Sequence, residues 1–188
     1  MIILATETAV KAKIISLIAL FSLLALAASP LAAAEEPALV SARVLHSQAA
    51  YAQGGAYPLA IALTIRPGWH INSDRPKEKD LYPTTMLLQC SRDCSFSPAV
   101  FPKPASHKPG FSQTALDVFG GTVVVRTTLT VAKDAQLGPQ LLGARLSYQG
   151  CDDQACALPD DLEVPIQVKI APAGQASAPL NQDVFKKK

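Results

Sequence analysis

Four cysteines carry the chemistry open to this chain. They fall into two local pairs, Cys90/Cys94 in CSRDC and Cys151/Cys156 in YQGCDDQACALPDD. A cysteine pair can be a structural staple, part of a metal clip, or a dithiol that exchanges electrons. Four cysteines allow three connectivities, and local pairing is the simplest because each pair brackets a turn. Cys90 ends an apolar run and CSRDC turns the chain back, so Cys90–Cys94 reads as a structural disulfide. Its loop is small, which puts the entropic gain at the low end of the usual range. Zinc has enough sulfurs, but neither spacing is the usual zinc knuckle. His46, His70 and His107 add no i, i+4 pair, so no metal is expected.

Cys151 and Cys156 have a different setting. A thioredoxin-type site needs C-x-x-C at the start of a helix, whose amino terminus stabilises the thiolate. Here the spacing is longer and Pro159 discourages a helix. Asp152 and Asp153 lie inside the loop, with Asp160 and Asp161 just beyond. Negative neighbours disfavour a thiolate and raise the thiol pKa. Such a dithiol would hold its electrons until a suitable partner docks, because exchange needs the thiolate. On spacing alone, the simpler reading is a second structural disulfide on a β-turn.

The elements that must position these sulfurs are short strands. In PLAIALTIRP, Leu59, Ile61, Leu63 and Ile65 alternate with smaller or polar residues, the period of a half-buried strand. Pro67-Gly68 then punctuates the chain. The pattern predicts further strands over 38–46, 84–90, 96–101, 122–131, 140–148 and 162–170. Turn-rich stretches separate them at 72–83, 102–112, 120–121 and 134–139. Many short strands with spaced turns favour an all-β, antiparallel β-sandwich with little helix. Trp69 reads as a core anchor, and Asn72-Ser73-Asp74 as turn chemistry. Tyr148 reads as strand packing, with a hydroxyl near the sulfurs as the functional alternative. His70 reads as a structural hydrogen-bonding residue, with a tunable charge near the pair as the alternative.

The amino-terminal stretch has the layout of an export signal. Lys11 and Lys13 precede the apolar run 14–27, Pro30 breaks it, and Ala32-Ala33-Ala34 before Glu35 is an A-x-A cleavage pattern. The expected organisation is a signal peptide at 1–34, a sandwich at 35–170 and a flexible polar tail at 171–188. The run is short for a membrane span, and no long apolar run follows it. The expected location is therefore periplasmic or otherwise extracytoplasmic, where disulfides persist. A formal net charge of +2 on 188 residues gives no reason to expect nucleic acid or anionic lipid as a partner. No Ser-His-Asp or paired-carboxylate constellation stands out.

At the second cysteine pair the sequence resembles the amino-terminal periplasmic domain of DsbD, the thiol:disulfide interchange protein. The family carries a stretch like YQGCxxxxxCYPP, which YQGCDDQACALP largely matches. PGWHINSDRPKEKDLYPTTMLL, residues 67–88, is similar to a second family segment, and FPKPASHKPGFSQTALDVFGGTVVV, residues 101–125, to a third. The resemblance implies an immunoglobulin-like sandwich that relays reducing equivalents, as a protein-disulfide reductase does, with no cofactor beyond its sulfurs. The expected electron donor is a thioredoxin-like reductant or a membrane electron relay. The expected acceptor is an exported disulfide isomerase or a cytochrome c maturation thioredoxin. By motif position Cys156 would form the mixed disulfide with the partner and Cys151 would resolve it. A capping loop would correspond to 109–116, with Phe111 as the shielding aromatic. This sequence departs from the family in its shorter cysteine loop, in Ala157-Leu158 where an aromatic follows the second cysteine, and in the extra Cys90/Cys94 pair. The family's membrane and thioredoxin-like domains are not in this sequence, so the expected reductant is a separate chain.

Overall fold

A computed structural model describes residues 38–186. The expected signal peptide and the last two lysines lie outside them. In chain order the strands are β1 (Val40–His46), β2 (Tyr51–Ala52), β3 (Ala56–Ile65), β4 (His70–Asn72), β5 (Thr85–Gln89), β6 (Cys94–Phe96), β7 (Ala105–His107), β8 (Leu116–Gly120), β9 (Thr122–Val131), β10 (Gly138–Tyr148), β11 (Gly150–Cys151) and β12 (Asp160–Ala171). A single-turn helix, α1 (Gln182–Phe185), follows. The chain is an all-β, immunoglobulin-like sandwich. One sheet has the order β1-β3-β9-β6 and the other β2-β12-β10-β5. The pairings are antiparallel except β2 with β12, which run parallel. A third, smaller sheet, β11-β4-β8-β7, carries the second cysteine pair.

Alternation builds the core. Leu59, Ile61, Leu63 and Ile65 of β3 pack in one cluster with Val123, Val125, Leu129 and Val131 of β9, Leu142, Ala144 and Leu146 of β10, and Val164, Ile166 and Val168 of β12. Each fully buried aliphatic side chain contributes about 1.5–3 kcal/mol relative to exposure. The sequence pattern predicted a half-buried β3, yet Ala60 and Ala62 on its other face are also buried. They pack with Leu45, and Val184 and Phe185 of α1 close over them. Small side chains on that face leave room for the helix to sit close.

The segment expected as a flexible tail therefore makes specific contacts. The Ala49 and Leu180 N–H groups donate to Ala178 and Ser47 carbonyls at 3.0 and 2.8 Å. The Ser177 hydroxyl accepts from Ala50 N–H at 2.7 Å, and Asn181 Nδ2 donates to His46 O at 2.9 Å. Polar composition suggested fraying, but those polar groups satisfy the backbone beside β1.

The third sheet was hidden in stretches read as turns. β4, β7 and β11 have two or three residues each, too few for a periodic signal. Asn72, expected in a turn, lies in β4 and is fully buried. The turn before β4 was legible. Trp69 N–H donates to Arg66 O at 3.0 Å, and Gly68 has φ of 81°. Proline at the second position and a positive-φ glycine at the third define a type II turn.

Candidate functional site

The third sheet has a core face and a site face because side chains alternate along each strand. Ile71 of β4 and Phe119 of β8 point into the main cluster, and Trp69 packs against it. The neighbouring positions His70 and Asn72 then take the other face. Gly150 is the core-facing residue of β11. A Cβ there would meet Leu39 Cδ1 at 2.6 Å, so the Leu39 side chain packs directly over the bare glycine.

The structure joins Cys151 to Cys156, and Cys90 to Cys94. Cys151 and Cys156 face each other in an antiparallel β-bridge, with Cα atoms 4.0 Å apart. Asp152 N–H donates to Ala155 O at 3.0 Å and Ala157 N–H to Gly150 O at 2.8 Å. The cysteines are thus a non-hydrogen-bonded pair, the closer kind of cross-strand pair. Asp152 forms the tip: its Oδ1 accepts from the Gln154 and Ala155 N–H groups, both at 2.8 Å. Those bonds hold its carboxyl below the ordinary carboxylate value, so the tip stays anionic. The two sulfurs are unequal. Cys151 is 0% exposed, whereas Cys156 is only partly buried. Leu158, two residues on, is 88% exposed.

On its other side Cys151 pairs with His70, and His70 pairs in turn with Gly120. The row across the sheet is therefore Cys156, Cys151, His70, Gly120. His70 is 6% exposed, and its Nε2 is buried without a hydrogen-bond partner. Burial, reinforced by nearby His107, pushes its pKa below the ordinary value, while Asp153 and Asp152 push the other way. The His70 and His107 ring centres are 4.8 Å apart. His107 Nε2 lies 3.0 Å from Asp153 Oδ1, and Gly110 N–H donates to Asp153 O at 3.1 Å. These contacts join β7 to the tip beyond β11, the two opposite edges of the small sheet. A cleft of about 450 Å³ opens beside the row, lined by Trp69, His70, His107, Val118, Gly120 and Asp153 among others.

The remaining predicted residues fall as follows. Phe111 follows Gly110 on the loop that touches the hairpin tip, with 42% of its surface exposed. Gly110 is needed there, since a Cβ would meet Asp153 O at 2.8 Å. Tyr148 is buried in the core cluster, and its hydroxyl donates to Asp160 Oδ2 at 3.2 Å. Burial, then the Asp160 charge, pushes its pKa up to about 12. Cys90 and Cys94 flank the passage from β5 to β6, where the chain leaves one large sheet for the other; both pack against the core. Among the described residues no three His, Cys, Asp or Glu side chains are grouped to hold a metal ion.

Sequence reasoning missed His107, Asn72 and Gln149 at the site, and the pairing of Asp153 with His107. His107 and Asp153 come together only through the fold. Asn72 and Gln149 form a clamp: Asn72 Nδ2 donates to Tyr82 O at 2.9 Å and to Gln149 Oε1 at 3.3 Å. Gln149 Nε2 then donates to Ala157 O at 3.0 Å, behind Cys156. The signal for Asn72 was present in WHINS, where polar His70 and Asn72 flank apolar Ile71 with period two.

The fold and the hairpin disulfide are those of a β-sandwich thiol:disulfide interchange module. A family model described as thiol:disulfide interchange protein DsbD, N-terminal, matches residues 41–168, and the chain belongs to that family. No curated protein matches the chain. Among solved structures, the N-terminal periplasmic domain of ScsB from Proteus mirabilis is similar, with 14% identity and a TM-score of 0.46. The match covers 69% of this chain and 47% of that one, so this chain spans about half the length of that structure. The seventh ScaB type I cohesin from Pseudobacteroides cellulosolvens is similar at 11% identity and a TM-score of 0.40, covering 71% of this chain and 94% of the cohesin.

Proposed function

We propose that the chain is an extracytoplasmic electron relay in which Cys151–Cys156 is the working disulfide. The observation that carries this reading is the unequal burial of its two cysteines within the family-matched segment. A partner's thiolate attacks Cys156 Sγ, the more accessible sulfur. The Cys151–Cys156 bond breaks, a mixed disulfide forms, and Cys151 leaves with the electron pair and takes up a proton. The partner's second thiolate then attacks its own mixed-disulfide sulfur and releases Cys156, so the module is reduced and the partner oxidised. In the second half-cycle Cys156 thiolate attacks a client disulfide, and Cys151 resolves the product. Phe111 serves as the cap, on the loop held to the hairpin at Gly110. Tyr148 shields from the end of β10, three residues before Cys151, with its hydroxyl committed to Asp160. Cys90–Cys94 serves as a staple.

The reductant is a thioredoxin-like protein or a membrane relay, and the client an exported disulfide isomerase or a cytochrome c maturation thioredoxin. Export through the 1–34 signal would bring them together. The test is a Cys151→Ala variant exposed to an oxidised thioredoxin-like partner, whose disulfide the lone Cys156 thiolate attacks. The expected result is a mixed disulfide trapped through Cys156 and absent from Cys156→Ser. No trapped species, together with a Cys151–Cys156 potential well below about −300 mV, would leave that bond a second staple.

A further inference from the structure

We propose that His70 is the proton acceptor for Cys151 when Cys151 resolves the mixed disulfide. This rests on reading Cys151–Cys156 as the working pair. Residues directly opposite each other on adjacent antiparallel strands point to the same face, with Cβ atoms about 4.5–5.5 Å apart. His70 and Cys151 are such a pair, so the two side chains leave the sheet from neighbouring positions on one face. A buried polar atom normally has a partner, yet His70 Nε2 has none. In the oxidised state Cys151 carries no proton to donate. Reduction supplies one, and the idle nitrogen is the acceptor beside it.

The groups facing His70 fit this role. His107, from β7, is engaged with Asp153, so it does not compete for the Cys151 proton. Asp152 and Asp153, from the hairpin tip, favour a charged imidazole, partly offsetting the burial and the His107 contact that oppose it. The carboxylates that disfavour a thiolate thus favour the imidazolium formed beside it. Gly120, the next residue in the row, has no side chain; a Cβ there would meet only Trp69 O at 3.9 Å. The cleft it leaves open lets the proton leave to water.

The step balances. Cys151 Sγ–H gives its proton to His70 Nε2 as the sulfur attacks Cys156 Sγ. The Cys151–Cys156 bond forms and the bond between Cys156 and the partner breaks. The partner sulfur leaves reduced, as a thiolate, and His70 passes the proton to water or to that thiolate.

The test uses the reduced protein and dithiobis(nitrobenzoate), a disulfide that releases a coloured thiolate. Attack by Cys156 gives the first release and resolution by Cys151 gives the second. Mass spectrometry identifies the cysteines that react. His70→Asn and His70→Gln should slow the second phase by about 100-fold, the low end for general base catalysis, and leave the first near wild type. In wild type the second phase should show an inflection below the ordinary histidine value of 6.5, lost in both variants. Melting temperatures separate this from misfolding. If neither variant folds, the wild-type inflection decides, and its absence overturns the proposal. A second phase unchanged in rate and pH profile overturns the role of His70 alone. Failure of Cys151→Ala to retain nitrobenzoate on Cys156 overturns the underlying redox reading, and this one with it.

Discussion

Cys90–Cys94 and Cys151–Cys156 close loops of almost the same size, four and five residues of separation. Loop-closure entropy gives each about 2 kcal/mol. As staples the two are equivalent, and the difference lies in what surrounds them. Cys90–Cys94 bridges the passage between the two large sheets. Asp93 in its loop ties down the neighbouring turn, accepting from Ala132 N–H at 2.8 Å through its carbonyl and from Gln136 N–H at 3.1 Å through its carboxylate. Both acceptors of Asp93 are spent on the frame. Cys151–Cys156 sits on a small sheet with one sulfur buried, one partly open, and an unpartnered imidazole alongside. Spacing makes a disulfide; the neighbours decide whether it has work beyond holding a loop.

The largest contrast is expected in exchange itself. Cys156→Ser should abolish electron uptake from a thioredoxin-like donor, followed by thiol alkylation. The double variant Cys90→Ala/Cys94→Ala should keep it while losing about 2 kcal/mol in urea denaturation. Equal loss of exchange in both would erase the distinction. Next come the potentials. Redox titration should place Cys151–Cys156 above about −300 mV and Cys90–Cys94 below it.

Gly150→Ala tests what holds the Cys151–Cys156 hairpin against the sandwich. The new methyl group would meet only the Leu39 side chain, whose flexible end can shift, so the expected cost by denaturation is about 1 kcal/mol, the low end for overpacking. The smallest effect is on acid stability. The pKa of His70 is lowered in the fold, so the unfolded chain binds the proton more readily. The stability that a neutral His70 contributes is full above its ordinary value of 6.5 and falls as the pH drops through the lowered one. His46, also lowered by burial, adds to the same slope. Denaturation midpoints across this range should decline on acidification, and His70→Asn should flatten the decline in part.

The large sheets were legible through β1, β3, β9, β10 and β12, which are long enough to repeat, whereas the two residues of β2 were not read as a strand. β9 was read at its observed bounds, and β10 and β12 to within two residues. The small sheet was not, since three residues cannot display a period and its pairings join residues far apart in sequence. The same split governs the site. Cys151, Cys156 and their turn could be read locally. His107 and Asp153 are separated by 46 residues and meet only because the small sheet's edges close on each other. The contacts of the tail were not legible for a related reason. Composition records how polar a segment is, not whether a neighbouring backbone awaits its hydrogen bonds.

The fit of Leu39 against Gly150 has a consequence for maturation. Leu39 lies just before β1, close to where an export protease would act. A cut after Ala34 leaves it in place, and the hairpin keeps its backing. Trimming a few residues further would remove that wedge and loosen the cysteine hairpin without touching a cysteine. On the proposed signal and relay, the position of the cut would set how firmly the working disulfide is backed.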